Sequence, residues 1–330
     1  MTSEKPTLEM IAKSCKVGVS TVSTALNHPQ KIGVYTRERI IRTARELGYF
    51  SRGKEVSVKK IIIVADNYKD YFFGEYYQDV IFGIQNTLSQ LMIPTLVLSN
   101  LDVDYSRIYD YDGIVFVGRT PPSFIQFVQK YKIPFVLAGH PYYDNHFPCV
   151  YQDTQSGVLE LMSFTINCRH ERIALLTGEV EEKDYAWNLF LSSYKWALKR
   201  NNIEFDDQDI YQSSYHQVEK TEIAFNQILS SKKRYSTIFC SSDLIACFAM
   251  MAAKKYEISI PKDISISGFD GIKFPRHLSP FQSSLTTMAC DRERIGQEAV
   301  KGLVKLINKD SFSGKVIPMI PQIRESVRRV

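Results

Sequence analysis

The stretch of sequence that decides the N-terminal fold is TLEMIAKSCKVGVSTVSTALNHPQKIGVYTRERIIRTARELGYF, residues 7–50. Its apolar residues form three short runs with a spacing of three or four positions, which is the spacing of one buried face on an amphipathic helix. Only Lys16, Val17 and Gly18 separate the first two runs, and so short a turn makes two helices cross steeply. The stretch therefore predicts a helix-turn-helix followed by a third helix over residues 36–48.

Positive charge is concentrated in the same part of the chain. Residues 1–60 contain 12 Lys and Arg residues and 5 Glu residues, which gives this segment a balance of +7. The remaining 270 residues carry 29 basic and 31 acidic groups, a balance of −2. A basic head on a nearly neutral body is the charge pattern of a protein that binds a polyanion such as DNA.

Beyond residue 60, short β-branched runs alternate with amphipathic segments, which is the pattern of βαβ units and parallel sheets. The predicted strands are residues 61–66, 95–100, 113–118, 135–139, 173–178, 237–242 and 264–271. The predicted helices are residues 75–91, 122–131, 155–167, 185–201, 217–231 and 243–255. A chain of 330 residues is long enough for two or three domains rather than one.

Several function classes have no support in the sequence. The chain has no GxSxG, HExxH, GxxxxGK[ST] or GxGxxG motif, and its histidines and cysteines have no metal-binding spacing. We therefore expect no enzyme activity, no cofactor and no metal. The apolar runs are far shorter than the roughly 20 residues of a membrane span, and residues 1–6 lack the apolar core of a signal peptide. We expect a cytoplasmic protein with no membrane partner.

Residues 7–50 resemble the DNA-binding head of the LacI/GalR (lactose-repressor-like) family of bacterial transcriptional regulators. The family signature runs IA..AGVS..TVSR.LN and continues after a loop as TR.RI...A..LGY. The residues that match this signature are Val19, Ser20, Thr21, Val22, Ser23, Ala25, Leu26, Asn27, Thr36, Arg37, Arg39, Ile40, Ala44, Leu47, Gly48 and Tyr49. Most of the remaining chain resembles the effector domain of the family, for example in residues 111–118 and 260–271.

The resemblance implies an α/β fold with an N-terminal three-helix helix-turn-helix head and a two-lobed, periplasmic-binding-protein-like body with parallel sheets. It implies a DNA-binding domain (residues 1–50), a short basic linker (51–60) and an effector-binding and dimerisation domain (61–330). Within the last of these, the N-lobe is expected at about 61–153 and 289–312, and the C-lobe at about 154–288 and 313–330.

The start of the second helix is rich in hydroxyl side chains, and a recognition helix presents this end to the major groove. With the family match, this gives as candidate DNA-binding residues Thr7, Val19, Ser20, Thr21, Ser23, Thr24, Asn27, His28, Tyr35, Arg52 and Lys54. Thr24 stands where the family usually has an arginine, whose bidentate contact with guanine is worth roughly 1–3 kcal/mol. We therefore expect an operator that differs from the common one of the family. The alternative is a small helical bundle whose basic face is only solvated.

Two further departures from the family concern the turn and the linker. Lys16 and Gly18 replace the usual glycine and serine of the turn, so we expect the left-handed residue at Gly18. Residues 50–60 read FSRGKEVSVKK and lack the PN..AR.L motif of the family's hinge helix. We therefore expect no leucine wedge in the minor groove and assign Arg52 and Lys54 to the DNA phosphates.

Ligands of open α/β sheets bind outside the carboxyl ends of the strands. This rule and the family match give as candidate effector-binding residues Tyr71, Phe73, Arg119, Asp153, Phe190, Ser242 and Asp270. Phe190 stands where the family has an effector-binding arginine, which indicates a more apolar and aromatic pocket. The alternative is that Phe190 fills a collapsed cleft as part of the core.

The sequence thus predicts a DNA-binding transcriptional regulator, a repressor, that acts as a homodimer on a near-palindromic double-stranded operator. A small molecule in the interlobe cleft, with a sugar or sugar derivative as the candidate, is expected to control operator affinity. Two alternatives stay open: a regulator with a degenerate cleft and no effector, and a cytosolic solute-binding protein without DNA function. The apolar segment 244–253 is either a subunit interface or part of the core.

Overall fold

The computed structural model describes residues 6–27, 31–47, 49, 60–66, 71–99, 108, 111–142, 147–179, 184–274 and 279–330. Side chains are described for these residues except 27, 34, 45, 71–75, 279, 280 and 282. The predictions for His28, Arg52 and Lys54, and those for the linker up to residue 59, therefore lie outside the described residues.

Three helices form the predicted helix-turn-helix head. They are α1 (Leu8–Ser14), α2 (Val19–Asn27) and α3 (Val34–Glu46). Their apolar faces meet in a small core, in which Val22 and Ile40 are fully buried. α3 begins two residues before the predicted start at residue 36, since the N–H of Arg37 already donates to the carbonyl of Gly33.

The turn between α1 and α2 corrects one expectation. Lys16, not Gly18, has the left-handed backbone, with a φ of +48°. The cause is the way α1 ends: the N–H of Val17 donates to the carbonyl of Ala12 over 3.0 Å, and this pattern needs a left-handed residue directly before Val17. Gly18 instead precedes α2, where its carbonyl accepts from the N–H of Val22.

The body alternates strands and helices, and each predicted strand and helix overlaps an observed one. The strands are β1 (Ile61–Ala65), β2 (Thr95–Ser99), β3 (Gly113–Val117), β4 (Phe135–Ala138), β5 (Cys149–Gln152), β6 (Ile173–Thr177), β7 (Ile210–Gln212), β8 (Thr237–Cys240), β9 (Ser265–Ser267), β10 (Thr287–Cys290), β11 (Gly314–Ile317) and β12 (Met319–Gln322). The helices are α4 (Tyr71–Gln90), α5 (Pro122–Lys130), α6 (Thr154–Asn167), α7 (Tyr185–Arg200), α8 (Val218–Ser230), α9 (Asp243–Lys255), α10 (Ser279–Ser284) and α11 (Arg292–Ile307). The sequence did not predict β5, β7, β10, β11 and β12.

Two parallel sheets form the two lobes. The first has the order β11-β5-β4-β3-β1-β2 and the second the order β7-β6-β8-β9. In the first lobe, α4 and α11 cover one face of the sheet and α5 covers the other. The strand order reverses between β1 and β3 and between β6 and β8, and ligand sites form at the carboxyl ends of the strands at such points.

The helix α9 lies in the interior of the second lobe. Phe248 is 2% exposed and Met250 is 6% exposed, and both pack with α8 and the second sheet. The core-facing interpretation therefore accounts for the apolar segment 244–253.

The chain passes between the lobes three times, after β5, after β10 and after β11. β11 pairs in parallel with β5, so the first lobe extends to Ile317 rather than to the expected limit near residue 312. The sequence hides this strand because Val316 is 46% exposed at the edge of the sheet and the run is short. β12 then pairs with β10 in a separate antiparallel ribbon.

Some sites and segments are absent from the described part of the chain. No group of three His, Cys, Asp or Glu side chains there has the arrangement of a metal site. All six cysteines are free thiols. Among the described helices, none combines the length and apolar character needed to cross a bilayer.

Candidate functional site

The start of α2 presents polar side chains to solvent. Val19 is 41% exposed and Ser20 is also exposed, whereas Val22 and Ala25 are fully buried against the other two helices. The hydroxyl of Thr24 donates to the carbonyl of Ser20 over 2.8 Å, which leaves only its oxygen lone pairs for an outside partner. One end of α2 is thus available to a large ligand, and the helix's partial positive charge at this end favours an anion such as phosphate.

Three other candidate residues of the head lie at or beside helix ends. The hydroxyl of Thr7 accepts from the N–H of Met10 over 3.3 Å and caps α1, and Thr7 is half-buried. Tyr35 is 76% exposed and lies 5.9 Å from the guanidinium of Arg39. Of Asn27 only the backbone is described, as the last residue of α2.

The cleft between the lobes contains a cavity of about 190 Å³ at the carboxyl ends of the strands. Four predicted effector-binding residues line it: Arg119, Phe190, Ser242 and Asp270. Tyr71 and Phe73 belong to the first turn of α4, and their side chains lie outside the described ones. The cavity is smaller than the 300–1,000 Å³ of drug-sized ligand sites, so a small molecule fits this form of the cleft.

Asp153 does not line the cavity, which corrects its prediction. Its carboxylate caps α6 by accepting from the N–H of Ser156 over 3.1 Å. An aspartate that directly precedes a helix satisfies the free N–H groups of the first turn. Ser242 has the same task at α9, where its hydroxyl accepts from the N–H of Ile245, although this residue also reaches the cavity.

At the mouth of the cleft, which we define as Arg119, His140 and Asp184, ion pairs join the two lobes. Arg119 follows β3, and its guanidinium lies 2.6 Å from the carboxylate of Asp184 at the start of α7. His140 follows β4 and lies 3.4 Å from the same carboxylate. Gly118, with a φ of +84°, directs the chain toward Arg119, and a Cβ there would lie 2.9 Å from the ring of Tyr77.

Asp184 also caps α7, because it accepts from the N–H groups of Ala186 and Trp187. Burial alone would raise the pKa of Asp184, but the hydrogen bond and charge of His140 and the charge of Arg119 lower it to about 2. Asp184 is therefore ionised at neutral pH and holds Arg119 and His140 of the first lobe.

The floor of the cleft, which we define as Tyr76, Gln152, Asp270 and Arg292, is a hydrogen-bonded network. The hydroxyl of Tyr76 donates to the amide oxygen of Gln152 over 3.1 Å, and the amide nitrogen of Gln152 donates to the carboxylate of Asp270 over 3.0 Å. Burial raises the pKa of Asp270, although Gln152 and Arg292 act against this effect. The amide of Gln152 thus fixes one oxygen of Asp270 at the edge of the cavity.

Arg292 connects the residues of the floor through its guanidinium. It is 3% exposed, donates twice to the carboxylate of Asp79 over 2.8 and 3.2 Å, and donates to the carbonyl of Asp270 over 2.6 Å. The carbonyl of Gly271 accepts a further hydrogen bond of 3.3 Å. Because Asp79 lies on α4 of the first lobe and Asp270 follows β9 of the second, this single side chain ties the lobes together.

Aromatic rings form the wall of the cavity on the second lobe. Phe190 is 5% exposed, stacks on Trp187 with a centroid distance of 5.8 Å, and meets Phe269 edge-on at 5.2 Å. The ring therefore belongs to the core of the lobe and also lines the cavity. The two interpretations of Phe190, as a wall of a more aromatic pocket and as a core residue, thus each describe part of its surroundings.

A second aspartate lies behind this wall. Asp243, the first residue of α9, is 2% exposed, and its carboxylate accepts from the hydroxyl of Thr287 and from the N–H of Ile272. Burial raises its pKa to about 8, with a smaller contribution from the charge of Asp270. This carboxyl is therefore mostly protonated at neutral pH.

Several lining residues were not predicted from the sequence. They are Tyr76, Tyr77, Gln152, Glu179, Asp184 and Tyr215. Gln152 ends β5, so recognition of that short strand would have placed it at a carboxyl end. Asp184 precedes an amphipathic segment, so its sequence position predicts a helix cap. That position gives no information on Arg119, its partner across the cleft.

Comparisons with known proteins agree with this arrangement. A family model described as bacterial regulatory proteins, lacI family, matches residues 7–51, and one described as a periplasmic binding protein-like domain matches residues 164–327. The chain is 28% identical over 308 residues to the HTH-type transcriptional repressor CytR of Escherichia coli (strain K12), with 89% of this chain and 87% of that protein covered.

Solved structures show a similar fold. A complex of the transcriptional regulator CelR with cellobiose matches with a TM-score of 0.70 at 23% identity, covering 97% of this chain and 99% of that one. A lac repressor dimer bound to operator and the anti-inducer ONPF matches with a TM-score of 0.68 at 17% identity, covering 98% and 100%.

Proposed function

The chain belongs to the LacI/GalR family of bacterial transcriptional regulators, and we propose that it represses transcription by binding a near-palindromic operator as a homodimer. As a member of this family it is a DNA-binding regulator and not an enzyme. The observation that carries the proposal is the exposed start of α2 within a segment of balance +7. Val19, Ser20 and Thr21 lie at this end and are the proposed contacts with base edges and phosphates.

The proposed DNA surface includes the rest of the predicted set. Thr7 and Tyr35 support it by lying at the starts of α1 and α3. Ser23 and Thr24 lie half-buried on α2. Asn27, His28, Arg52 and Lys54 complete it on the evidence of their sequence positions alone.

The DNA-binding test is selection of fragments from random double-stranded DNA, followed by titration of the selected fragment at several salt concentrations. Neutralisation of phosphates by lysine and arginine predicts an affinity that falls by orders of magnitude between 50 and 200 mM salt. A two-fold symmetric selected sequence supports the homodimer. An affinity that does not change with salt, or no enrichment of any sequence, would contradict DNA-binding function and favour a solute-binding protein.

We propose that the first lobe supplies part of the dimer interface. Phe82 in α4 and Met92 directly after it are 54% and 89% exposed in the single chain. Large apolar side chains that stay exposed in a single chain are candidates for a protein–protein contact. The proposed division of the chain keeps the head at residues 1–50 and the linker at 51–60, with the first lobe ending near residue 317.

We also propose that a small polar molecule with an apolar face, such as a sugar or sugar derivative, binds in the cleft and controls operator affinity. Asp270 offers an acceptor for hydroxyl groups, Arg119 offers a donor, and Phe190 and Trp187 offer rings for stacking. The cellobiose bound to CelR supports a sugar as the first class to test. A ligand of this kind competes with Asp184 for Arg119 and so acts on the mouth of the cleft.

The effector test is a thermal-unfolding screen of sugars, sugar phosphates and nucleosides, followed by operator titration with each compound that raises the melting temperature. At a concentration 100 times its Kd, a ligand stabilises the native state by about 2.7 kcal/mol. A compound that raises the melting temperature of the intact protein and changes operator affinity identifies the effector. If the protein binds the operator but no compound in these classes, the regulator with a degenerate cleft is the better description.

A further inference from the structure

The head and the first lobe share an apolar contact. Ile41 of α3 is 7% exposed, although it is not part of the core of the head, which its neighbour Ile40 joins. Ile41 belongs instead to the apolar cluster that α5 forms on the first sheet. Leu26, near the end of α2, packs against both clusters. The head and the first lobe therefore pack together, although they are far apart in the sequence.

Two polar contacts surround this apolar one. The hydroxyl of Tyr131, directly after α5, donates to the carboxylate of Glu38 over 3.0 Å. The ammonium of Lys132 lies 3.5 Å from the carboxylate of Glu46. We call these six residues the docking contact: Leu26, Glu38, Ile41 and Glu46 of the head, and Tyr131 and Lys132 of the first lobe.

The charges of the head are divided between the docking contact and the surface that remains. Two of the five acidic residues in residues 1–60, Glu38 and Glu46, belong to the docking contact. The exposed start of α2, with Val19 and Ser20, remains open to solvent while the head is docked. A docked head is therefore still able to meet DNA, with Glu38 and Glu46 turned to the first lobe.

We propose that the docking contact holds α2 in the orientation that binds the operator, and that Tyr131 and Lys132 are positioning residues of the first lobe. This inference rests on the proposed DNA-binding function. α2 is fixed to α3 by the core of the head, so a contact that fixes α3 also fixes α2. A fixed head has less conformational freedom to lose on binding, which favours affinity, and it sets one distance between the two heads of a dimer.

The docking contact also lies at one end of α5, whose other end follows the mouth of the cleft in the chain. α5 begins at Pro122, three residues after Arg119 of the mouth, and ends directly before Tyr131. The helix packs on the first sheet as one element, so we expect its two ends to move together. A ligand that separates Arg119 from Asp184 is therefore expected to change the position of the head through α5.

The first experiment replaces the buried apolar residue of the docking contact. The full-length Ile41→Gln variant keeps the net charge and is expected to bind the selected operator about ten-fold more weakly. It is also expected to lose discrimination between operators whose half-sites are separated by one or two additional base pairs. The matched control is Met10→Gln on α1, a half-buried position outside the docking contact, which is expected to keep both the affinity and the spacing preference.

The second experiment is a double-mutant cycle on the exposed ion pair. Lys132→Glu and Glu46→Lys each place like charges together, and the double variant restores opposite charges at the wild-type net charge. The independent effect of each charge on DNA binding cancels in the cycle. The expected result is an affinity of the double variant about three-fold higher than the two single effects predict, as suits a pair that is 61% and 41% exposed.

The outcomes separate the docking contact from DNA binding itself. If the wild-type protein binds no selected DNA, the proposed function is wrong. If it binds, but Ile41→Gln keeps its affinity and spacing preference and the cycle is additive, the docking contact does not position the head. A higher affinity of Ile41→Gln also overturns the proposal, because the docked head would then be held away from DNA. Far-UV circular dichroism of each variant checks that the helices are intact.

Discussion

The mouth and the floor of the cleft both join the two lobes through an arginine and an aspartate, but they differ in solvent exposure. At the mouth, Arg119 is 42% exposed and meets Asp184 through one ion pair. At the floor, Arg292 is 3% exposed and makes hydrogen bonds to Asp79 and to two backbone carbonyls. An exposed pair exchanges readily with water or ligand, whereas a buried one does not. The comparison therefore indicates a mouth that opens and a floor that stays fixed and acts as the hinge.

Asp184 and Asp243, at the starts of α7 and α9, differ in pKa for a related reason. Asp184 faces the cations of the first lobe, which lower its pKa to about 2 despite its burial. At Asp243 the hydrogen bonds from Thr287 and Ile272 and the charge of Arg292 also lower the pKa, but burial outweighs them and raises it to about 8. Contact with the first lobe thus keeps Asp184 ionised, whereas desolvation within the second lobe keeps Asp243 protonated.

The largest predicted effect is that of breaking the floor. Arg292→Met removes the guanidinium and its hydrogen bonds to the carboxylate of Asp79 and to the carbonyls of Asp270 and Gly271. Removal of one partner of a buried pair destabilises a protein by about 3–5 kcal/mol, and the partial exposure of Asp79 suggests the lower end of that range. Urea denaturation at pH 7 measures the free energy of unfolding.

The matched control for the floor is Arg294→Met on the same helix. Arg294 is exposed, so its replacement is expected to change the free energy of unfolding by less than about 0.5 kcal/mol. Equal effects of the two variants would show that Arg292 does not tie the lobes together. The floor would then be no more fixed than the mouth.

The second prediction concerns the buried aspartate behind the wall. Its pKa in the folded protein is raised from 3.8 to about 8, so between about pH 4 and pH 8 the folded state holds a proton that the unfolded state does not. Stability due to this group is therefore highest below pH 4 and falls as pH rises toward 8, by about 1.4 kcal/mol per pH unit. Asp243→Asn keeps a neutral side chain at every pH and is expected to remove this slope.

The measurement is urea denaturation of the wild-type protein and of Asp243→Asn at pH 5, 6 and 7. The difference in the free energy of unfolding between them is expected to change steadily in favour of the variant as pH rises. Asp207→Asn, at an aspartate whose side chain is 85% exposed, serves as the control and is expected to show no such change. A difference that is constant with pH would mean that Asp243 ionises normally.

The head could be predicted almost completely from the sequence because its structure depends on local patterns. The spacing of residues such as Val22 and Ile40 determines which helix faces meet, and a turn of three residues leaves few geometries. The error at Gly18 came from assigning the left-handed residue by amino-acid type. The hydrogen bonds that end α1 require it at Lys16 instead.

Of the predicted residues that line the cavity, Arg119, Ser242 and Asp270 lie at the ends of recognised strands, and Phe190 was placed by the family match. Gln152 was missed because β5 was not recognised as a strand, and Asp184 because its partners come from the other lobe. Asp153 was assigned to the cleft although its carboxylate caps α6. Contacts between lobes depend on how two sheets face each other, and a pattern of residues within one lobe carries no information on that arrangement.

The third prediction is that Asp184→Asn weakens closure of the mouth. The lowered pKa of Asp184 means that its ion pairs stabilise the folded state fully above about pH 4, and that this stability is lost as pH falls toward 2. At pH 7 we expect a loss of about 1–2 kcal/mol in the free energy of unfolding, reduced from the full shift because Arg119 is partly exposed. The asparagine oxygen still accepts from the N–H of Ala186, so α7 keeps its cap.

The check is urea denaturation of both proteins between pH 2 and pH 7. The difference between them is expected to be constant above pH 5 and to shrink as pH falls toward 2. A difference that persists at pH 2 would point to a packing effect of the substitution rather than to loss of the ion pairs.

The smallest predicted effect is that of Arg119→Met, which removes one cation of the mouth. Because Arg119 is 42% exposed and His140 remains beside Asp184, we expect a loss of about 0.5 kcal/mol or less in the free energy of unfolding at pH 7. The same denaturation experiment, with Asp184→Asn alone and the double variant, measures how Arg119 and His140 share the carboxylate. If Arg119→Met equals Asp184→Asn, His140 contributes nothing to closure and one exposed ion pair holds the mouth. If it is clearly smaller, both residues hold Asp184, and a ligand has to displace both to open the cleft.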